Sequence, residues 1–370
     1  MPNDALPSIA AASGALHALE VRQAPARAVG PAVARVMGDA ALALTWRVVQ
    51  ASSKEAFISA TPQALSRLYY TSDDGWQCPL HLVPARPGTS GEPVLLAHGL
   101  GGNARDFDLG PTSLARALSN AGYAVYLLEH RADRSALPPE GAAAFNADDI
   151  ATRDLDAALS IVRQHSGFSR VLCVGHGFGA QLLLLRLAAL GADDIAGTVL
   201  IAGAVRFSEP ASGLRTWGQI AQLLPSSWVL PTRRIQQLAS PFIVSGADLG
   251  SPGTDGALAR ARLRHASGDL HVGVLKQVAG WLRQGHLTDA TGRLDVVAAL
   301  PRTPSLVLEP DNDPSCPTGS AQPAAIAMGA YFEALTGGWG HLDPLLGNRA
   351  PTELYPRVID FFETRRRACW

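Results

Sequence analysis

Lysine is almost missing from this chain. Only Lys54 and Lys276 stand among 31 basic residues, so 29 are arginine, and these are scattered rather than gathered into a stripe. With a net charge of -1, that leaves no electrostatic footprint for nucleic acid or an anionic membrane. Cysteine is scarce too: Cys78, Cys173, Cys316 and Cys369 fall at neither metal-ligand nor redox spacing. No oxidising compartment, metal or cofactor is implied. The most apolar early stretch, Ala40 to Trp46, is far short of the roughly 20 residues that span a bilayer. The N-terminus has no basic region followed by an apolar one, as a secretory signal would. The expectation is a cytoplasmic protein with no stable membrane insertion. What is present, 47% hydrophobic and 17% charged residues in 370, suits a large folded core.

Residues 1–66 are alanine-rich, with Val33, Val36, Met37, Ala40 and Leu44 near one helical face, and read as a helical extension. Arg67 to Ala85 reads as a hairpin around Asp73-Asp74-Gly75. A strand–helix alternation follows: strands at Val94 to Ala97, Ala124 to Leu128, Val171 to Val174 and Gly197 to Ile201, with helices at Pro111 to Ala121, Asp148 to Gln164 and Ala180 to Leu190. Such alternation predicts a mostly parallel sheet with helices on both faces. The rhythm then breaks until Ser305 to Leu308, far beyond the usual connection of about 2 to 6 residues. The interval, with Trp217, Leu223, Leu224, Trp228, Leu275, Trp281 and Leu282, reads as a helical cap. The expected boundaries are a first core segment over 67–205, the cap over 206–302 and a second core segment over 303–370, with a strand near Ala330 to Leu335 and a closing helix from about Thr352 to Arg367.

The most telling absence is one side chain. Gly175-His176-Gly177-Phe178-Gly179 lies between a buried strand and an apolar helix and has the flanking glycines of G-x-S-x-G, the sharp turn that lifts a nucleophile above a sheet. Its middle residue is Gly177. Glycine tolerates such a turn freely, but it has no atom with which to attack.

Four pieces in order make residues 67–370 resemble the α/β-hydrolase superfamily: His98-Gly99-Leu100-Gly101-Gly102 after one strand, the Gly177 turn, an acid after the strand that follows the cap, and a late histidine. The segments DDIATRDLDAALSIVRQ and GHLDPLLGNRAPTELYPRVIDFF look like bacterial lipases and the polyhydroxyalkanoate-synthase-like branch, whose nucleophile is serine or cysteine. The resemblance implies an α/β-hydrolase fold, with Gly177 at the nucleophile position, Asp313 as the acid in competition with Asp311, His341 as general base, and the amides of Leu100 and Phe178 as oxyanion hole. His98 is expected to shape the oxyanion turn, and His176 to be a packing and polar neighbour rather than a catalytic group. Thr112, Ser113 and Ser251 lack the strand–turn–helix setting of a substitute nucleophile. An aspartate nucleophile, as in dehalogenases and epoxide hydrolases of this fold, is excluded at 177.

Three functions remain open. The first is a carboxylic ester hydrolase or acyl-transfer lineage acting on a hydrophobic acyl ligand, weak or inactive in serine-type hydrolysis because of an introduced or natural loss at Gly177. The second is a non-covalent His341/Asp313 general-base enzyme of lyase or cyclase type. The third is a non-catalytic module that binds a hydrophobic ligand. The cap's tryptophans and leucines suit an apolar ligand in all three.

Overall fold

The computed structural model describes residues 65–110, 112–207 and 219–368. The extension expected over 1–66 lies outside them except for its last two residues, and Trp217 and Cys369 also fall outside. Ser66 opens a strand rather than ending a helix. β1 (Ser66–Thr71) and β2 (Gln77–Val83) form the expected antiparallel hairpin, closed at Gly75, where φ is 88°.

β3 (Glu92–Ala97), α1 (Leu114–Asn120) and β4 (Tyr123–Leu128) follow. α1 starts three residues later than the pattern predicts because Ser113 caps it, its Oγ accepting from the Arg116 amide at 3.3 Å. α2 (Leu155–Ser166) is preceded by a helical turn at Ala147–Asp149 and a π-helical turn at Ile150–Asp154. Then come β5 (Val171–His176), α3 (Phe178–Leu190) and β6 (Ile195–Ile201). Val94 to Ala97, Val171 to Val174 and Val199 to Ile201 are buried at consecutive positions, as strands covered on both faces must be. The closing helix at Tyr355–Ala368 packs on α1, and α2 packs on α3, which supplies cover.

Between β6 and the next sheet strand lies the long insertion. It holds β7 (Val229–Leu230), α4 (Thr232–Ala239), α5 (Gly256–His265), β8 (Leu270–His271) and α6 (Val272–Gln284). The β7–β8 ladder was not anticipated, because two-residue strands leave no periodic signature. The chain closes with β9 (Ser305–Pro310), α7 (Gln322–Met328), β10 (Tyr331–Leu335), α8 (Asp343–Leu346) and α9 (Tyr355–Ala368).

The eight-stranded sheet runs β1-β2-β4-β3-β5-β6-β9-β10. All its pairings are parallel except those of β2, which runs against both β1 and β4. β3 has β4 on one side and β5 on the other, so the strand order reverses there. The carboxyl ends of β3 and β5 therefore open a crevice at a switch point, the place where ligands meet sheets of this kind.

Candidate active site

β5 ends at His176 and α3 begins at Phe178, so the chain turns within one residue. Gly177 takes φ 54° and ψ −115°, a conformation that side-chain-bearing residues rarely adopt. Its amide donates to the Ile201 carbonyl at 2.8 Å, and its carbonyl accepts from Ala180 at 3.1 Å and Gln181 at 3.2 Å. The flanking glycines are sterically required. A Cβ on Gly175 would stand 2.5 Å from the Ala180 Cα, and one on Gly179 would overlap the Ala97 carbonyl.

The two acids after β9 have separate tasks. Asp311 accepts from the amides of Gly337, Gly338 and Trp339 and so fixes the loop that leads to His341. Asp313 is buried, accepts from His341 Nδ1 at 2.6 Å and takes a second bond from the Ser315 amide at 2.8 Å. Burial alone would raise its pKa, but the charge of His341, the hydrogen bond from its ring and the Ser315 amide together hold the carboxyl below its ordinary value. The structure thus pairs His341 with Asp313 and not with Asp311.

His341 meets Gly177 directly. A Cβ placed on Gly177 would lie 3.0 Å from His341 Cε1 and 3.1 Å from its Nε2. The same Cβ would stand 4.0 Å from the Gly99 Cα, so the turn after β3 joins the cluster. In that turn the Gly102 amide donates to the Gly99 carbonyl at 3.1 Å, with Leu100 between them. Leu100 and Phe178 line one narrow pocket with His130, His271 and Val274. Its room of about 10 Å³ suits a single water.

His176 does more than pack. Its Nε2 donates to the His341 carbonyl at 2.8 Å, and the two rings lie 4.6 Å apart. Burial, then the charge of His341, pushes its pKa down to about 3, so the ring is neutral. On the other side, Ser251 Oγ accepts from the Leu342 amide, and Asp343 accepts from Gly253, Thr254 Oγ1 and Gly340. The insertion is thereby tied to the histidine loop. Ser251 and Ser113 are committed to these structural bonds, and Thr112 is exposed.

One buried group had no sequence signal beyond its place at the end of β4. Glu129 accepts from the Ala104 amide at 3.1 Å, and its oxygens lie 3.6 Å from His81 Nε2 and 3.7 Å from His98 Nε2. Burial drives its pKa well above the carboxylate range. His98 in turn contacts the Gly99 carbonyl through Nδ1 at 2.9 Å and stacks on His130 at 4.5 Å. This layer underlies the turn that carries Leu100.

The insertion differs from the expected apolar lining. Trp281 is buried with Nε1 donating to the Thr288 carbonyl and packs 6.3 Å from Phe178, while Leu275 is buried in a small insertion core. Trp281 and Leu275 are thus buried in the protein's interior, whereas Leu223 and Trp228 lie exposed. Among the described residues no cluster of His, Cys, Asp or Glu is placed to hold a metal ion, and no helix is long and apolar enough to cross a membrane.

Several solved structures share this fold. An esterase from Exiguobacterium antarcticum is 14% identical with a TM-score of 0.56, over 80% of this chain and 100% of its own. An esterase from Rhodococcus sp. ECU1013 is 19% identical with a TM-score of 0.51, over 81% and 98%. An α/β hydrolase from Penicillium sp. sh18 is 16% identical with a TM-score of 0.55, over 82% and 99%. No curated protein matches the sequence. Residues 94–355, which contain the Gly177 turn, Asp313 and His341, match the profile of the alpha/beta hydrolase family, and the chain belongs to that family.

Proposed function

We propose that this chain is of the carboxylic ester hydrolase and acyl-transfer lineage, with general base, orienting acid and oxyanion donors retained around a position that has no nucleophile. The observation that carries the reading is the approach of His341, anchored on Asp313, to 3.0–3.1 Å from where a side chain of residue 177 would begin. A histidine so placed takes the proton of an attacking hydroxyl or thiol and returns it to the leaving group, while the carboxylate fixes its tautomer. The amides of Leu100 and Phe178 are assigned to the oxyanion. Neither needs a side chain at 177. With glycine there, no acyl-enzyme forms and serine-type hydrolysis is lost, leaving the rate enhancement of roughly 10³ to 10⁴ that binding and an oxyanion hole supply alone.

The ligand is assigned as a small ester or thioester with a hydrophobic acyl group, and the insertion acts as a cap. The space of about 10 Å³ at Leu100 and Phe178 is bordered by Asp269, His271 and Val274 of the insertion, so on this reading a shift of the insertion would make room for such a ligand. The second reading, a His341/Asp313 general base acting without a covalent intermediate, draws on the same 2.6 Å pair. A p-nitrophenyl ester series with the chain as it stands, and with His341→Ala, separates the two. The lineage reading expects no more than that residual turnover, and the same in both. Turnover well above background that His341→Ala abolishes would overturn it in favour of the general-base reading.

A further inference from the structure

α6 presents a second potential binding surface away from His341. Gly273, Lys276, Gly280 and Arg283 follow one another at spacings of three, four and three, which places them along one helical face. Gly273 lets the helix press against the Phe145 carbonyl, where a Cβ would overlap it. Gly280 does the opposite. A Cβ there would meet nothing within 4 Å except the Arg283 guanidinium, with Nη2 at 3.9 Å. The guanidinium is therefore folded back over bare helix. From the other end Lys276 Nζ reaches Ser226 Oγ at 3.1 Å. The two cationic heads border one cavity of about 470 Å³, walled by Phe145, Asn146 and the Thr288 to Gly292 loop. That size falls within the range of small-molecule sites.

The lining offers donors and few acceptors. Among the described residues neither Lys276 nor Arg283 has a carboxylate partner within ion-pair distance. The cavity's amide oxygens are already engaged: Gln277 holds Asp148 and the Ala147 amide, Gln284 bonds the Gly292 carbonyl and Thr288, and Asn146 Oδ1 accepts from the amides of Asp148 and Asp149. One carboxylate, Asp289, is among the lining residues, but its oxygens are engaged within its own loop, accepting from Thr291 Oγ1 and the amides of Arg293 and Leu294. What remains available are the protons of Lys276 and Arg283, aided by the Ser226 hydroxyl. Arginine and lysine heads with no acid between them favour an oxyanion, which they bind by charge-assisted hydrogen bonds.

We propose that the cavity on α6 bordered by Lys276, Gly280 and Arg283 is a binding site for a small organic anion carrying a phosphate or carboxylate group. The proposal is independent of any reaction at His341. Phosphate monoesters and carboxylic acids share the chemistry, so the test has two arms, phenyl phosphate and succinate, each titrated calorimetrically into the full chain at low ionic strength. Saturable one-site binding in either arm is expected, and the tighter arm names the class. Losing one charge-assisted contact should weaken it about tenfold or more, so Arg283→Ala and Lys276→Ala should each do so, while Lys276→Arg retains most of the affinity. Gly280→Leu, whose Cβ meets nothing within 4 Å but the Arg283 guanidinium, should abolish binding without lowering stability. The proposal is overturned if neither ligand saturates, or if Arg283→Ala and Gly280→Leu bind like the parent chain.

Discussion

Replacing Gly177 with serine should create an esterase at a small cost in stability. Two terms set that cost. The backbone at 177 sits at φ 54° and ψ −115°, where a non-glycine residue is strained by about 1–3 kcal/mol. The new Cβ would also stand 3.0–3.1 Å from the His341 ring, closer than atoms rest comfortably, so the ring must retreat by a few tenths of an ångström. It can pivot about its bond to Asp313, but His176 holds its carbonyl and Asp343 holds its loop, so the retreat is limited. The gain is larger. Removing a nucleophile from an intact triad costs on the order of 10⁶-fold in kcat, whereas a misplacement of about 1 Å costs about 10²-fold. Together these lead us to expect a gain of roughly 10² to 10⁴ in p-nitrophenyl ester hydrolysis for Gly177→Ser, with a Tm lowered by a few degrees. Gly177→Ala shares the strain and lacks the hydroxyl, so it should lose the same stability and gain nothing. The reasoning is refuted if Gly177→Ser is folded and no faster than Gly177→Ala.

Other consequences are as direct. Gly179→Ala should destabilise the fold by more than about 3 kcal/mol in chemical denaturation, because its Cβ overlaps the Ala97 backbone and neither element can give way cheaply. In the Gly177→Ser background, Asp313→Asn should cost about 10⁴-fold in kcat by fixing the wrong tautomer of His341. Acid should weaken the fold through His176, whose pKa falls from the ordinary 6.5 to about 3 on burial. Between those values the unfolded chain binds a proton that the folded chain refuses. Stability is thus complete above about pH 6.5 and declines below it, by up to about 1.4 kcal/mol per pH unit for this group. His176→Gln keeps a donor for the His341 carbonyl and removes the titration, so its stability should depend less on pH between 4 and 6.5; an unchanged slope would contradict the assignment.

The parts of this site that lie in local stretches were legible before any coordinates. The apolar runs at Val94, Val171 and Val199 announce buried parallel strands, and glycines at 175 and 179 announce a turn where strand and helix backbones nearly touch. Asp313 and His341 were expected from the resemblance to the α/β-hydrolase order of nucleophile, acid and histidine, and the structure brings the two within 2.6 Å. The rest depends on contacts between distant parts of the chain. Nothing near His176 in sequence says that its ring supports the carbonyl of a residue 165 positions away. Glu129 reads as an ordinary acid at a strand end until the sheet brings His81 and His98 against it. Trp281 reads as a pocket wall until α6 turns it onto Phe178. The short β7–β8 ladder and the π-helical turn at Ile150–Asp154 are set by tertiary packing, which overrides weak local preference.

On the proposed reading, a general base, its orienting acid and two oxyanion donors surround a position that has no nucleophile. Labelling with a fluorophosphonate, followed by mass spectrometry of the intact chain and its peptides, tests it most directly. The account predicts no adduct on the chain as it stands, one phosphonyl group per molecule at position 177 in Gly177→Ser, and loss of that adduct when His341→Ala is added. A folded Gly177→Ser variant that takes no label, or a label on the unaltered chain at any serine or threonine, would contradict it.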